Sequence, residues 1–154
     1  MNLGQSVVDE GVEKGRLKIA MDMLKDGVAN DIIIKYTQFS MDELKSIEQD
    51  MARGKVLYTE EIDDKESIDK FVQQKLKILK EEYGIEFDEQ GIEAFQSMHE
   101  LHPQLIKGGE NQCRMDVAWA MFKDGIDAAF ITKYTQLSIE EIKKAKDKDK
   151  SAKE

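Results

Sequence analysis

Two histidines, one cysteine, a glycine pair and a tetrad written twice are the side chains of this sequence with chemistry to offer. His99 and His102 stand three residues apart, which places both imidazoles on one helix face as half of a metal site. The spacing is one residue short of the His-Glu-x-x-His zinc signature, and the chain has no third histidine or cysteine pair to complete a ligand set. A solvated helix end beside Pro103 is the plainer reading. Cys113 has no histidine near it in sequence and precedes an apolar helical pattern, as a half-buried spectator thiol would rather than a nucleophile. Gly108-Gly109 lacks the following Lys-Ser/Thr of a phosphate-binding loop and reads as a hinge. With no nucleophile–base pair and no ligand set, the sequence is expected to encode neither an enzyme nor a cofactor or metal carrier.

The repeated tetrad carries more information. Lys35-Tyr36-Thr37-Gln38 recurs as Lys133-Tyr134-Thr135-Gln136. Structurally, the tyrosine can pin a short helix to the core while Thr-Gln makes the turn. Functionally, Lys35, Tyr36, Gln38, Lys133, Tyr134 and Gln136 form a candidate partner-binding set, since tyrosine is enriched at the energetic centres of interfaces.

The elements that must position these side chains come in two copies. Residues 16–49 recur 98 positions later as residues 114–147, with no gap and 14 identities in 34 positions. In the first copy Leu17, Ala20, Met21, Leu24 and Val28 mark one helical face, and Met115, Ala118, Trp119, Phe122 and Ile126 repeat it. Gly27 and Gly125 stop those helices. A short helix follows with Ile33 and Tyr36, or Ile131 and Tyr134. Then Ser40-Met-Asp-Glu43 and Ser138-Ile-Glu-Glu141 spell the capping box of a third helix. Between the copies, Ile68, Phe71, Val72, Leu76, Leu79 and Tyr83 predict a long amphipathic helix ended by Gly84, and a further helix from Asp88 is expected to stop at Pro103. The stretch HPQLIKGGENQ then reads as a loop. No run alternates polar and apolar residues for long enough to argue a sheet, so the fold is expected to be all-α. The expected organisation is a helical repeat module at 1–53, an acidic helical connector at 54–110, a second module at 111–147 and a disordered tail at 148–154. Eight methionines suggest adaptable packing, with Met21, Met23 and Met51 as a possible binding surface.

Charge narrows the function. The net charge of −9 divides into −3 for residues 1–53, −7 for 54–110 and +1 for 111–154. That balance disfavours general nucleic-acid binding, which rests on lysine and arginine neutralising phosphates. A single cysteine excludes an internal disulfide framework and suits a cytoplasmic home. No apolar run is long enough to span a bilayer, and no membrane association is expected.

The ordered residues Asn2, Leu3, Glu10, Gly11, Lys14 and Gly15, then Gly27, Ile33, Thr37, Phe39, Ser40, Asp42, Glu43 and Leu44, resemble the C-terminal tail of the recombination-promoting nuclease (putative transposase) family. The second copy resembles it through Gly125, Ile131, Thr135, Leu137, Ser138, Glu140, Glu141 and Ile142. The family's turn glycine is replaced by Gln38 and Gln136, which suggests that the turn is built differently here, because glutamine is disfavoured at positive φ. The family's PD-(D/E)xK nuclease domain is absent; Glu43-Leu-Lys45 and Glu141-Ile-Lys143 spell Glu-x-Lys on helices, not on strands. The resemblance implies an association module from a phage or mobile element. Three function classes follow. The first is a non-catalytic regulator that self-associates, as a homodimer or by pairing its two copies, and binds a protein such as a nuclease. The second is an acidic anti-defence inhibitor, of the anti-CRISPR kind, whose Glu60, Glu61, Asp63, Asp64 and Glu66 enter the basic channel of a nucleic-acid enzyme. The third is a helix-turn-helix DNA-binding regulator, disfavoured because its reading helix would begin with carboxylates.

Overall fold

The computed structural model describes residues 3–145, and among the described residues every regular element is a helix. The order is α1 (Leu3–Lys25), α2 (Asn30–Thr37), α3 (Met41–Ala52), α4 (Lys65–Tyr83), α5 (Glu89–Lys123), α6 (Ala128–Thr135) and a last helix, α7, over residues 139–145. The chain is all-α, as its periodicity predicts. No helix among the described residues is long and apolar enough to cross a membrane. The tail at 148–154 lies outside the described residues.

The local signals act where the sequence puts them. Ser40 accepts from Glu43 N at 3.1 Å while Glu43 Oε1 accepts from Ser40 N at 3.0 Å, so the capping box of α3 is complete. Ser138 accepts from Glu141 N at 3.1 Å in the same way. Gly84 closes α4 in the left-handed region at φ 67°. The turn after α2 and α6 corrects one expectation. Gln38 (φ 64°) and Gln136 (φ 63°) are themselves left-handed, so the turn has the glycine geometry without the glycine. Their N–H groups donate to the Ile34 and Thr132 carbonyls. The threonine before each is buried and donates its hydroxyl to the carbonyl four residues back, Thr37 to Ile33 at 2.6 Å and Thr135 to Ile131 at 2.7 Å.

The larger correction concerns Pro103. α5 passes through it without a break and continues for 35 residues, so HPQLIKGGENQ is helix, not loop. The helix also runs through residues 110 and 111, where the connector and the second module were expected to meet. Pro103 has no N–H for the His99 carbonyl, and an interior proline costs about 3 kcal/mol. What overrides it is burial: Pro103, Ile106, Gly109, Cys113, Val117 and Met121 line the side of α5 that packs against the rest of the chain. Gly108-Gly109 is therefore no hinge. Gly109 sits at the α1–α5 crossing, where a Cβ would lie 2.1 Å from the Val8 carbonyl oxygen. On the other side, a Cβ on Gly11 would lie 2.1 Å from the Ile106 carbonyl oxygen. Only two bare Cα atoms allow so close an approach.

Around that crossing the core is Ile19, Ala20 and Met23 of α1 with Ile33, Leu44, Val117, Met121, Ile131 and Ile142. Met23 is fully buried, so it belongs to no binding surface. Cys113 is also buried rather than half-buried, and burial pushes its thiol up to about 11. α4 stands apart from this core. Its main packing is along the first half of α5, with Ile68 and Val72 as its buried residues. The pair forms an antiparallel arm: Phe71 meets His99 with ring centroids 5.3 Å apart, and Phe95 of α5 stacks on Phe87 of the connecting turn at 5.8 Å.

Candidate interaction surface

The tyrosines of the two tetrads are buried, while the lysine before each stays more than half exposed. Tyr36 is 6% exposed and donates to Asp124 Oδ2 at 2.8 Å, while Tyr134, also 6% exposed, donates to Asp26 Oδ2 at 2.8 Å. The lysine before each joins the same carboxylate, Lys35 to Asp124 at 3.1 Å and Lys133 to Asp26 at 3.0 Å. Each tyrosine of one copy is thus tied to the end of the long helix of the other, within a single chain. The Tyr36 hydrogen bond and the Lys35 ammonium hold the Asp124 carboxyl below the usual range. Tyr134 and Lys133 do the same to Asp26. Lys35, Tyr36, Lys133 and Tyr134 are occupied as a reciprocal latch, and Gln38 and Gln136 as helix caps.

The connector carboxylates also have internal work. Glu60 pairs with Lys18 at 3.1 Å, and Glu61 lies 3.8 Å from Lys14 and 3.6 Å from His102 Nδ1. Asp63 pairs with Lys107, Asp64 caps α4 by accepting from Ser67 N at 2.9 Å, and Glu66 pairs with Lys70 at 3.3 Å. The segment between α3 and α4 is strapped over α1 and α5 by these contacts, with the Tyr58 ring 5.2 Å from the Lys18 ammonium.

Beneath the strap lies a charge cluster that sequence reasoning missed. Glu110 is 6% exposed and receives Lys18 at 3.3 Å, Lys14 at 3.5 Å and Arg114 at 3.7 Å. Burial pulls the Lys18 ammonium down, but its hydrogen bond to Glu60 and the charge of Glu110 outweigh that and hold it above an ordinary lysine. Glu110 and its lysines are almost a hundred residues apart in sequence, so only the helix crossing brings them together. Next to the cluster an open groove of about 520 Å³ runs between α1, α3 and the strap, lined by Leu17, Phe39, Ile47 and Leu57 and by the carboxylates of Glu10, Glu13 and Glu43.

His99 sits between aromatic rings, with Phe95 at 4.6 Å and Phe71 at 5.3 Å; burial lowers its pKa. It is an interior residue of a continuous helix, not a wet helix end. No group of three or more metal-ligating side chains gathers among the described residues.

The arm carries what the core does not use. Phe71, Ile78 and Tyr83 of α4, Ile85 and Phe87 of the turn, and Ile92, Met98 and Leu101 of α5 are each between 36% and 68% exposed. Phe71 and Ile78 are seven residues apart and share one edge of α4; Met98 and Leu101 share one edge of α5. Isolated exposed apolar residues are ordinary, but this concentration on one projection is the mark of a contact surface. The sequence signal for it is the width of the apolar stripe: α4 carries Ile78 beyond the positions that face α5, with Phe71 at their margin beside His99. Comparison with family models, with curated proteins and with solved structures finds no match to this chain.

Proposed function

We propose that this chain is a non-catalytic helical interaction protein that engages a protein partner through the apolar edge of its α4–α5 arm. The observation that carries the reading is the contrast between a latched, close-packed core and an arm that holds eight of the twelve large exposed apolar side chains among the described residues. The likeness of residues 2–44 and of the second copy to nuclease tails supports a regulator of phage or mobile-element origin, and the single cysteine supports a cytoplasmic home for it. The same likeness supports a nuclease as its partner. The acidic-inhibitor reading draws less support, because Glu60, Glu61, Asp63, Asp64 and Glu66 already face cations or a helix end inside the molecule. A helix-turn-helix reading draws less still, since Asp42 and Glu43 open α3 and would face phosphates.

The test is an arm variant, Ile78→Glu with Met98→Glu, compared with the wild type. The variant should melt at the wild-type temperature, because both side chains are exposed, and should lose protein association, whether with a host protein in affinity capture or with itself. Association that survives both substitutions overturns the assignment.

A further inference from the structure

We infer that the open edge of α4 binds the α4 of a second copy of this chain, antiparallel, about a twofold axis close to Ile78. This rests on reading the arm as the interaction surface and names its partner.

Phe71, Lys75, Ile78 and Glu82 follow one another at intervals of four, three and four residues, the spacing that keeps a row on one edge of a helix against a neighbouring helix. This row is distinct from Ile68 and Val72, which are buried towards α5. α4 therefore presents two seams; α5 fills one of them and reaches the margin of the other at Phe71, through His99. Phe71 and Ile78 are 36% and 42% exposed, and Lys75 and Glu82 are exposed beside them, with the Lys75 ammonium 5.5 Å from the Phe71 ring.

The order of charges along the row selects the occupant. Lys75 and Glu82 carry opposite signs and lie on either side of Ile78 at nearly equal distance. Lay the same row against itself in the reverse direction and Ile78 meets Ile78, Lys75 meets Glu82 of the second copy, and Glu82 meets its Lys75. A twofold interface must be self-complementary in this way. A parallel pairing would set Lys75 on Lys75 and Glu82 on Glu82, which is repulsive at both ends. The same antiparallel overlap brings the turn of each arm, with Ile85 and Phe87, towards Phe71 and Met98 of the other.

The full chain is examined by light scattering after size exclusion over a dilution series. A mass of twice 17.7 kDa that falls on dilution is expected. Lys75→Glu and Glu82→Lys should each weaken self-association about ten-fold or more by placing like charges together. The double variant Lys75→Glu/Glu82→Lys should recover it, and the two single variants mixed should form a heterodimer. Those rescues are particular to an antiparallel α4–α4 contact. A wild type that is monomeric throughout overturns the second copy as occupant, while the broader reading stands if Ile78→Glu/Met98→Glu still abolishes capture of another protein. A dimer indifferent to every charge change overturns the register. Circular dichroism of each variant, expected to match the wild type, removes misfolding as the cause of any loss.

Discussion

Gly11 and Gly109 face each other where α1 crosses α5, so closely that a Cβ on Gly109 would lie 2.8 Å from the Gly11 Cα. This contact sets the distance between the two longest helices that meet in the core. Gly109→Ala should cost about 3 kcal/mol, because the clashing atoms are backbone and the helices must part. Gly108→Ala, one position along, meets nothing within 4 Å and should be neutral or stabilising by up to about 1 kcal/mol. Chemical denaturation of the two variants reads this contrast directly; equal effects would show that the crossing is looser than described.

The latch predicts a pH dependence. Asp26 and Asp124 are held below the ordinary carboxylate range in the folded state by Tyr134 with Lys133 and Tyr36 with Lys35. A depressed folded pKa means that their contribution is present above the unfolded value near 3.9 and is lost as pH falls through the lowered one. Tyr36→Phe/Tyr134→Phe should lower the melting temperature by a few degrees at neutral pH, with the difference from wild type shrinking at acid pH. A constant difference across pH would place the tyrosines' contribution in packing alone.

Gln38 and Gln136 offer a stabilising change. Both sit at φ near +64° without strain relief from a glycine backbone. Gln38→Gly and Gln136→Gly should each raise stability by up to about 1 kcal/mol, the order of the left-handed penalty for an L residue. A loss instead would mean that the glutamine side chains make contacts worth more than that penalty.

The Cys113 thiol is pushed up to about 11 by burial, so a thiol reagent at pH 8 should react with native protein far more slowly than with denatured protein. Labelling kinetics followed by mass spectrometry decide this; fast native labelling would mean that α1 and α5 open readily at their crossing.

Glu110→Ala should be among the most damaging single changes, costing about 3 kcal/mol, because the ammonium groups of Lys14 and Lys18 would stay covered by the strap without it. Glu110→Gln should recover part of the loss. Denaturation midpoints of both variants provide the comparison.

Helix identity and helix ends were legible because they are written locally. Ser-x-x-Glu boxes, the closing glycines and the 3.6 period need no distant partner. The tetrads were legible as a repeated signal but not as a latch, since Asp124 is 88 residues from Tyr36. Pro103 and Gly108-Gly109 misled for the same reason in reverse. Each weakens a helix locally, and only packing against α1, invisible in a window of sequence, makes a helix there the better state. A trace of that packing was present: Gly109 lies 98 positions after Gly11, and Ile106 lies 98 after Val8, the same offset that relates residues 16–49 to 114–147. The arm's exposed edge was half legible, as apolar residues in excess of one stripe.

The continuity of α5 through Pro103 has a mechanical consequence. Thirty-five residues at 1.5 Å each make a rod of about 50 Å, one end in the arm and the other locked at Asp124 by Tyr36. A torque applied at the arm meets no break in the helix before the glycine crossing and is delivered there. Whatever grips the tip therefore also twists the fulcrum.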